Sequence, residues 1–242
     1  MHIFYTPDIS FTQTSYILSE EESKHCVRVL RLSTGDDVVL VDGVGGWYDA
    51  KIQDAHPKKA ILQIRNYRLQ QRNGNYYLHI AIAPPKNIER FEWFLEKATE
   101  LGVHEITPLL CERSERKEIR VDRLLKVITS AMKQSLRAYH PKLNSMTTLR
   151  SLLQTSFIGQ TFIAHCADGE RFFLNQLIEL QSQYLILIGP EGDFSENELK
   201  EAFQIGCKPI SLGFNRLRTE TAGLEACMEV NLLNRITENS EK

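Results

Sequence analysis

This sequence is short of the features that announce a function by abundance. Its five cysteines, Cys26, Cys111, Cys166, Cys207 and Cys227, are scattered, odd in number and form no CxxC pair. That pattern supports neither a disulfide framework nor a structural zinc site, so no metal is expected. Charge is nearly balanced, with 29 Lys and Arg against 31 Asp and Glu. No global basic surplus points to nucleic acid, although a local patch survives such averaging. No apolar run approaches the ~18 residues that span a bilayer, so no membrane partner is expected. The opening MHIFYTPDIS has no basic stretch followed by an apolar one. It does not read as a signal peptide, and a reducing, cytoplasmic location is expected. Internal repeats and low-complexity segments are missing too. So are the Lys-Ser/Thr ending of a P-loop and the glycine spacing of a dinucleotide fold.

The stretch Tyr184–Ala226 organises what is present. It opens with an apolar run, Tyr184–Ile188, long enough for one buried strand. A glycine loop, Gly189-Pro190-Glu191-Gly192-Asp193-Phe194, follows. Ser195 then starts a helix, with Glu198 placed for a capping box. Leu199, Ala202 and Phe203 give that helix an apolar face, and Gly206 stops it. A second strand, Lys208–Leu212, ends in Gly213. The polar run Asn215–Thr221 leads into a last helix, about 219–236. Two strands thus each end in a glycine loop, the place where open parallel sheets bind ligands.

Residues 1 to about 70 read as a small, mostly β domain. A strand is expected at His2–Tyr5, and a short helix behind a Ser19/Glu22 capping box. Strand-like runs follow at Asp37–Val41, Trp47–Ile52 and Ala60–Tyr67, separated by glycine turns, which suggests a small barrel. Lys24, Arg28 and Arg31 lie three or four apart and could touch phosphate or simply face solvent. The polar stretch Leu69–Asn75 reads as a linker. The domains are therefore set at 1–70 and 75–242.

Beyond the linker, strands near 76, 105, 162, 184 and 208 alternate with helices, which argues for a parallel α/β sheet. The helix Ile88–Leu101 carries Phe91, Phe94, Leu95, Ala98 and Leu101 at helical spacing and stops at Gly102. A short helix is expected at Leu174–Leu180. From Glu112 to Lys142 there are nine Lys/Arg against four Asp/Glu. Within this run a helix from about Val121 to Tyr139 aligns Arg123, Lys126, Ser130, Lys133 and Arg137. That basic stripe is either an RNA-phosphate track or a solvated face. Lys86, past a strand end, is a further candidate for phosphate contact. The tail Glu238–Lys242 is expected to be loose.

GPEGDFS at Gly189–Ser195 and SLGFNRLRTETA at Ser211–Ala222, in this order and separation, resemble the RsmE family. These are methyltransferases of the SPOUT superfamily that modify N3 of one uridine in 16S ribosomal RNA of the small subunit, using S-adenosylmethionine. The resemblance covers essentially the whole chain. It implies an α/β class, with a C-terminal SPOUT α/β trefoil-knot methyltransferase domain preceded by a small PUA-like RNA-binding β-barrel. It further implies a homodimer acting on 16S rRNA within the assembled small ribosomal subunit. The donor is expected among Ile188, Gly189, Gly192, Leu212, Gly213, Leu217 and Arg218. Arg218 is expected to stabilise the developing imidate oxygen, with Glu220 as base or as a partner that orients Arg218. Alternatively, Arg218 and Glu220 pair with each other or cap the last helix. RNA contacts are expected at Lys86, Arg113, Arg123, Lys126, Lys133, Arg137, Arg28 and Arg31. The family's RSE and QS-x-R patterns place Arg113, Ser114 and Glu115, and Gln134, Ser135 and Arg137, near the substrate or the structural core. The resemblance departs at Asn215-Arg216, where many members have arginine and then an aliphatic residue. Other readings are a SPOUT methyltransferase for another RNA base, a non-catalytic RNA-binding assembly factor, and a metabolic α/β enzyme.

Overall fold

The structure, a computed structural model, describes residues 1–72 and 74–238, with side chains to Arg235. Asn73 in the expected linker and the tail beyond Glu238 lie outside the described residues. The chain packs as two units, residues 1–72 with 129–140, and the remainder.

The smaller unit holds a five-stranded sheet in the order β1-β3-β4-β5-β2. Its strands are β1 (Ile3–Tyr5), β2 (Ser15–Ile17), β3 (Asp37–Val41), β4 (Gly46–Asp54) and β5 (Ile61–Leu69). Only the β1–β3 pair is parallel. Successive side chains of a strand face opposite sides, and β3 buries both. Val38 and Leu40 join Phe4, Leu18, Tyr48, Ile52 and Leu62 in one core. Val39 and Val41 join Ile3, Trp47, Met132 and Ala138 in another. Residues 129–140 therefore belong with this unit. Gln70 fastens them from both ends of its amide, accepting from Ala138 N at 2.6 Å and donating to Leu136 O at 3.1 Å. Gly45 lies at φ 110°, and a Cβ there would stand 2.4 Å from the Tyr139 hydroxyl. A short helix α1 (Glu20–Lys24) runs into one π-helical turn, His25–Val29. Only half of its expected capping box forms. Ser19 accepts from Glu22 N, while the Glu22 carboxylate is drawn to Lys133 Nζ at 3.1 Å.

The larger unit is an all-parallel sheet with the path β11-β13-β10-β12-β6-β7-β8, and β9 paired to β7. Its strands are β6 (Tyr77–Ile82), β7 (Glu105–Leu110), β8 (Lys142–Leu143), β9 (Thr147–Thr148), β10 (Gln160–Ala164), β11 (Phe172–Phe173), β12 (Gln183–Ile188) and β13 (Lys208–Ser211). Parallel strands covered on both faces are apolar throughout rather than alternating. In β12, Tyr184, Ile186 and Ile188 face one core, and Leu185 and Leu187 the other. The first core takes Phe91, Phe94, Leu95 and Ala98 of α2 (Ile88–Leu101), and Ala226, Cys227 and Val230 of α7 (Thr219–Glu238). The second takes Leu149 of α4 (Leu149–Leu153), and Leu199 and Ala202 of α6 (Glu196–Gln204). Phe203, expected on the apolar face of α6, is largely exposed. The helix expected over 174–180 is only α5 (Leu174–Leu177).

Helix α2 starts where Asn87 accepts from Glu89 N and stops at Gly102, φ 90°. By contrast α3 (Val121–Gln134) ends earlier than its apolar and basic periodicity suggests. Leu136 adopts φ 57°, and Arg137 N bonds back to Met132 O at 3.1 Å. This is a Schellman stop built on leucine instead of glycine. Arg137 therefore lies past the helix, off the basic stripe assigned to it.

Candidate active site

Strands β13, β10 and β12 are adjacent and parallel, so their carboxyl ends open on the same edge of the sheet. The loops leaving them enclose a cavity of about 320 Å³. From the β12 loop come Ile188, Gly189, Pro190, Glu191 and Asp193, and from the β13 side Ile210–Gly213 and Asn215–Thr219. The β10 loop adds Ala164, His165, Cys166 and Arg171, and α7 adds Ala222. The size falls within the usual range for small-molecule sites.

Hydrogen bonds fix these loops to one another. Pro190 O accepts from Asp193 N at 2.9 Å, closing a turn that leaves Asp193 at φ 62°. Aspartate tolerates this left-handed region better than most residues. Its carboxylate then accepts from Cys166 N at 2.8 Å, latching the β12 loop to the β10 loop. Arg171 donates to His165 O at 2.8 Å. On the β13 side, the buried Thr219 hydroxyl donates to Gly189 O at 3.1 Å, tying the start of α7 to the glycine loop. The expected capping box on α6 forms in full between Ser195 and Glu198. Glu198 also accepts from Glu112 N at 2.9 Å.

His165 is 8 % exposed, and neither ring nitrogen has a hydrogen-bond partner. Burial lowers its pKa; the Asp193 charge acts upward and the Arg171 charge downward. The cavity wall thus carries a neutral imidazole with unused hydrogen-bonding capacity. Such groups are rare in folded interiors and call for a partner.

Arg216, Leu217 and Arg218 also line a second, more open cleft with Asn87, Glu89, Arg90, Trp93, Glu220 and Thr221. Glu220 is 7 % exposed. Its Oε1 stands 3.8 Å from Arg90 Nε, too long for a hydrogen bond, and its Oε2 is buried without a partner. Arg216 and Arg218 are exposed, and among the described residues neither side chain is ion-paired. The alternative pairing of Arg218 with Glu220 is not formed; the nearer cation is Arg90.

Of the seven residues expected around the donor, Ile188, Gly189, Leu212, Gly213, Leu217 and Arg218 line the cavity. Gly192 does not. It is packed against Arg113, and its carbonyl accepts from Arg113 Nη1 at 3.0 Å. Arg113 also donates to Phe194 O, so its guanidinium braces the glycine loop. Ser114 is buried and accepts from Cys111 N. Lys86 pairs with Glu115 at 2.8 Å, and its backbone N donates to Glu191. Arg123 pairs with Glu92, and Lys133 with Glu22. Lys126, Arg28 and Arg31 are exposed. The stripe is therefore partly neutralised by its own neighbours. Reading the sequence missed His165, Arg171, Arg90 and Trp93. His165 and Arg171 follow a strand that becomes adjacent to β12 and β13 only in the fold. Arg90 and Trp93 lie on the polar side of α2, where nothing in the periodicity marks them.

Comparison with known proteins bears on this geometry. Residues 72–231 match a family described as an RNA methyltransferase domain, and residues 18–65 an RNA methyltransferase PUA domain. Ribosomal RNA small subunit methyltransferase E of Synechocystis is 30 % identical over 229 residues, 91 % of this chain and 74 % of that protein. A structure described as a probable rRNA-methyltransferase from Porphyromonas gingivalis is 38 % identical, with a TM-score of 0.91, covering 98 % of this chain and all of that one. Ribosomal RNA small subunit methyltransferase E from Neisseria gonorrhoeae, solved bound to S-adenosyl methionine, is 25 % identical with a TM-score of 0.86 over 96 % and 98 % of the two chains.

Proposed function

Since the chain belongs to the RNA methyltransferase family that includes ribosomal RNA small subunit methyltransferase E, we propose that it methylates N3 of a uridine in 16S ribosomal RNA from S-adenosylmethionine. The observation that carries this reading is the cavity beneath the β10, β12 and β13 loops, with the unpaired Arg218 at the point where it meets an open cleft. When bound there, S-adenosylmethionine supplies a methyl group on a positively charged sulfur. Ile188, Ile210, Leu212 and Leu217 offer an apolar wall for a flat purine, and the Gly189 and Gly213 backbones allow close approach. The unpartnered His165 imidazole fits a ligand that brings its own polar groups.

Uridine N3 carries a proton that must leave as the nitrogen forms its new bond. Glu220 is the base in this reading. Its carboxylate would take the N3 proton; the electron pair left on N3 would form the N–CH3 bond as the S–CH3 bond of the bound donor breaks, that bond's pair remaining on a now neutral sulfur. Arg218 stabilises the negative charge that the uracil oxygens acquire meanwhile. In paired RNA this nitrogen is hidden, so the base must be unpaired or extruded. The segments 1–70 and 75–242 act as PUA-like RNA-binding and methyltransferase domains. Lys126, Arg28 and Arg31, all exposed, supply phosphate contacts, with Lys86, Arg113, Arg123, Lys133 and Arg137 as further candidates. The protein acts in the cytoplasm on the assembled small subunit, as a homodimer. Met228 and Leu232, 49 % and 45 % exposed on α7, support such pairing.

The test is methyl transfer from labelled donor to small subunits from cells lacking the gene, followed by nucleoside analysis. Label in 3-methyluridine is the expected result. Label in another nucleoside would shift the target base, and no label would sink the reading.

A further inference from the structure

The cleft outside Arg216–Arg218 holds the two groups that act on the uracil in the reading above, and the rest of its lining is chemically specific too. Five charged side chains line it: Glu89, Arg90, Arg216, Arg218 and Glu220. Arg90 comes from α2, Arg218 from the segment ahead of α7 and Glu220 from the first turn of α7. Glu220 is more than nine-tenths buried, yet one oxygen has no partner and the other has only a long ion contact to Arg90. A buried carboxylate accepts hydrogen bonds and cannot give them. Leaving it short of donors is costly unless a donor arrives from outside. Trp93, 42 % exposed, adds an indole surface to the same cleft.

We propose that this cleft reads the imide edge of the target uracil, an inference that rests on the methyltransferase reading above. The edge presents acceptor, donor, acceptor: O4, N3–H and O2. Among the groups lining the cleft, Glu220 offers the acceptor that N3–H needs, and Arg90 and Arg218 offer donors to the flanking oxygens. Cytosine offers a donor at N4 and an acceptor at N3, which would set its lone pair against the Glu220 carboxylate. Trp93 supplies a stacking face for a base taken out of the RNA. Because Arg216–Arg218 also line the enclosed cavity, a base in the cleft and a cofactor in the cavity share one wall.

The experiment measures donor affinity by calorimetry and methyl transfer to unmethylated small subunits, side by side. The variants are Glu220→Gln, Arg90→Ala, Arg90→Lys and Trp93→Ala, with thermal melts to confirm folding. Donor Kd should stay within about twofold of wild type throughout, since none of these residues lines the cavity. Transfer kcat/KM should fall about a hundredfold for Glu220→Gln and about tenfold for Arg90→Ala and Trp93→Ala, as expected when a site built for hydrogen bonds and stacking loses one partner. Arg90→Lys should recover part of the loss, because an ammonium still donates but without the planar fork. Trp93 is exposed, so Trp93→Ala keeps the test alive should Glu220→Gln fail to fold. Wild-type transfer by both Arg90→Ala and Trp93→Ala would overturn the cleft assignment and leave the methyltransferase reading standing. A changed sedimentation mass for Trp93→Ala with unchanged transfer would make the cleft a contact between copies, which also overturns it. No transfer by the wild type would instead remove the reading on which the assignment rests.

Discussion

The enclosed cavity and the open cleft share the wall Arg216–Arg218, yet they are built from different materials. The cavity sets the aliphatic side chains Ile188, Ile210, Leu212 and Leu217 and the backbones of Gly189 and Gly213 beside polar groups, of which Asp193, Arg171 and Thr219 latch the loops. The cleft is made of long charged side chains and one indole. A cavity defined by backbone is specific because it is rigid, and it suits a ligand that is the same in every turnover. A cleft defined by arginines and a carboxylate is specific through charge and hydrogen-bond pattern, which suits one base chosen from a polymer of similar bases. The contrast predicts that damage on the two sides will separate, and that only the shared wall will affect both.

The shared wall gives the largest effect. Arg218→Ala should lower kcat for methyl transfer by about 10² to 10³, the scale for losing one donor aimed at developing negative charge. Arg218 is exposed, so the melting temperature should hardly move. A loss seen only in KM would mean that Arg218 binds without stabilising the transition state, and the division proposed here would lose its catalytic centre.

The comparison also requires the sheet to hold still at the pH where charges in the cleft are varied. His79 on β6 sets that limit. It is buried against Thr107 at 2.7 Å, and burial lowers its pKa to about 4, with Glu105 acting upward and Lys142 downward. The unfolded chain takes up this proton near pH 6.5 and the folded chain only near 4. Stability from this group is therefore complete above 6.5 and drains as pH falls through the interval, by about 3 kcal/mol in all. Glu105 adds nothing there. Burial pushes its pKa up, but bonds from Tyr77, Asn144 and Lys142 hold it at about 2, so its contribution is lost only below 4.5. Urea midpoints at pH 7 and pH 5 should differ for the wild type and much less for His79→Gln. Equal differences would show that acid acts elsewhere.

On the cavity side alone, Gly189→Ala sharpens the contrast. A Cβ at Gly189 would lie 3.0 Å from the buried ring of Phe194. Overpacking of this kind costs about 1–3 kcal/mol, and relief by moving the loop would shift the backbone that lines the cavity. Donor Kd should rise about tenfold by calorimetry while binding to small subunits stays unchanged. Weakened subunit binding with intact donor affinity would reverse the assignment of the two sides.

Much of this was legible in local pattern, and what was not depends on distance. Gly102 stops α2, and Ser195 with Glu198 starts α6, because caps are short-range chemistry. Six of the seven expected donor residues line the cavity because loops at the carboxyl ends of parallel strands gather by topology. Gly192 lies outside the cavity because its surroundings are set by Arg113, 79 residues away. His165 was invisible for the same reason: only the strand order brings its loop beside Gly189 and Gly213. The end of α3 misled differently. Its left-handed stop is Leu136, a residue type that carries no turn signal, so the basic periodicity ran on to Arg137 as if still helical.

That misreading leads to the smallest expected effect. The periodic stripe treats Arg123, Lys126, Lys133 and Arg137 as equivalent, and the structure does not. Arg123 and Lys133 are held by Glu92 and Glu22, so recruiting either to phosphate first requires breaking an ion pair. Lys126 is exposed and, among the described residues, is in no ion pair. If the helix faces RNA, Lys126→Ala should weaken subunit binding only a few-fold but reduce the slope of log affinity against log salt by just under one, the signature of one lost phosphate contact. Lys133→Ala should leave that slope unchanged, since it removes a charge already neutralised and frees Glu22 instead. Matching slopes for the two variants would mean that the ion pair opens on binding. An unchanged slope for Lys126→Ala would make the stripe a solvated face and leave RNA affinity to the smaller unit and the cleft.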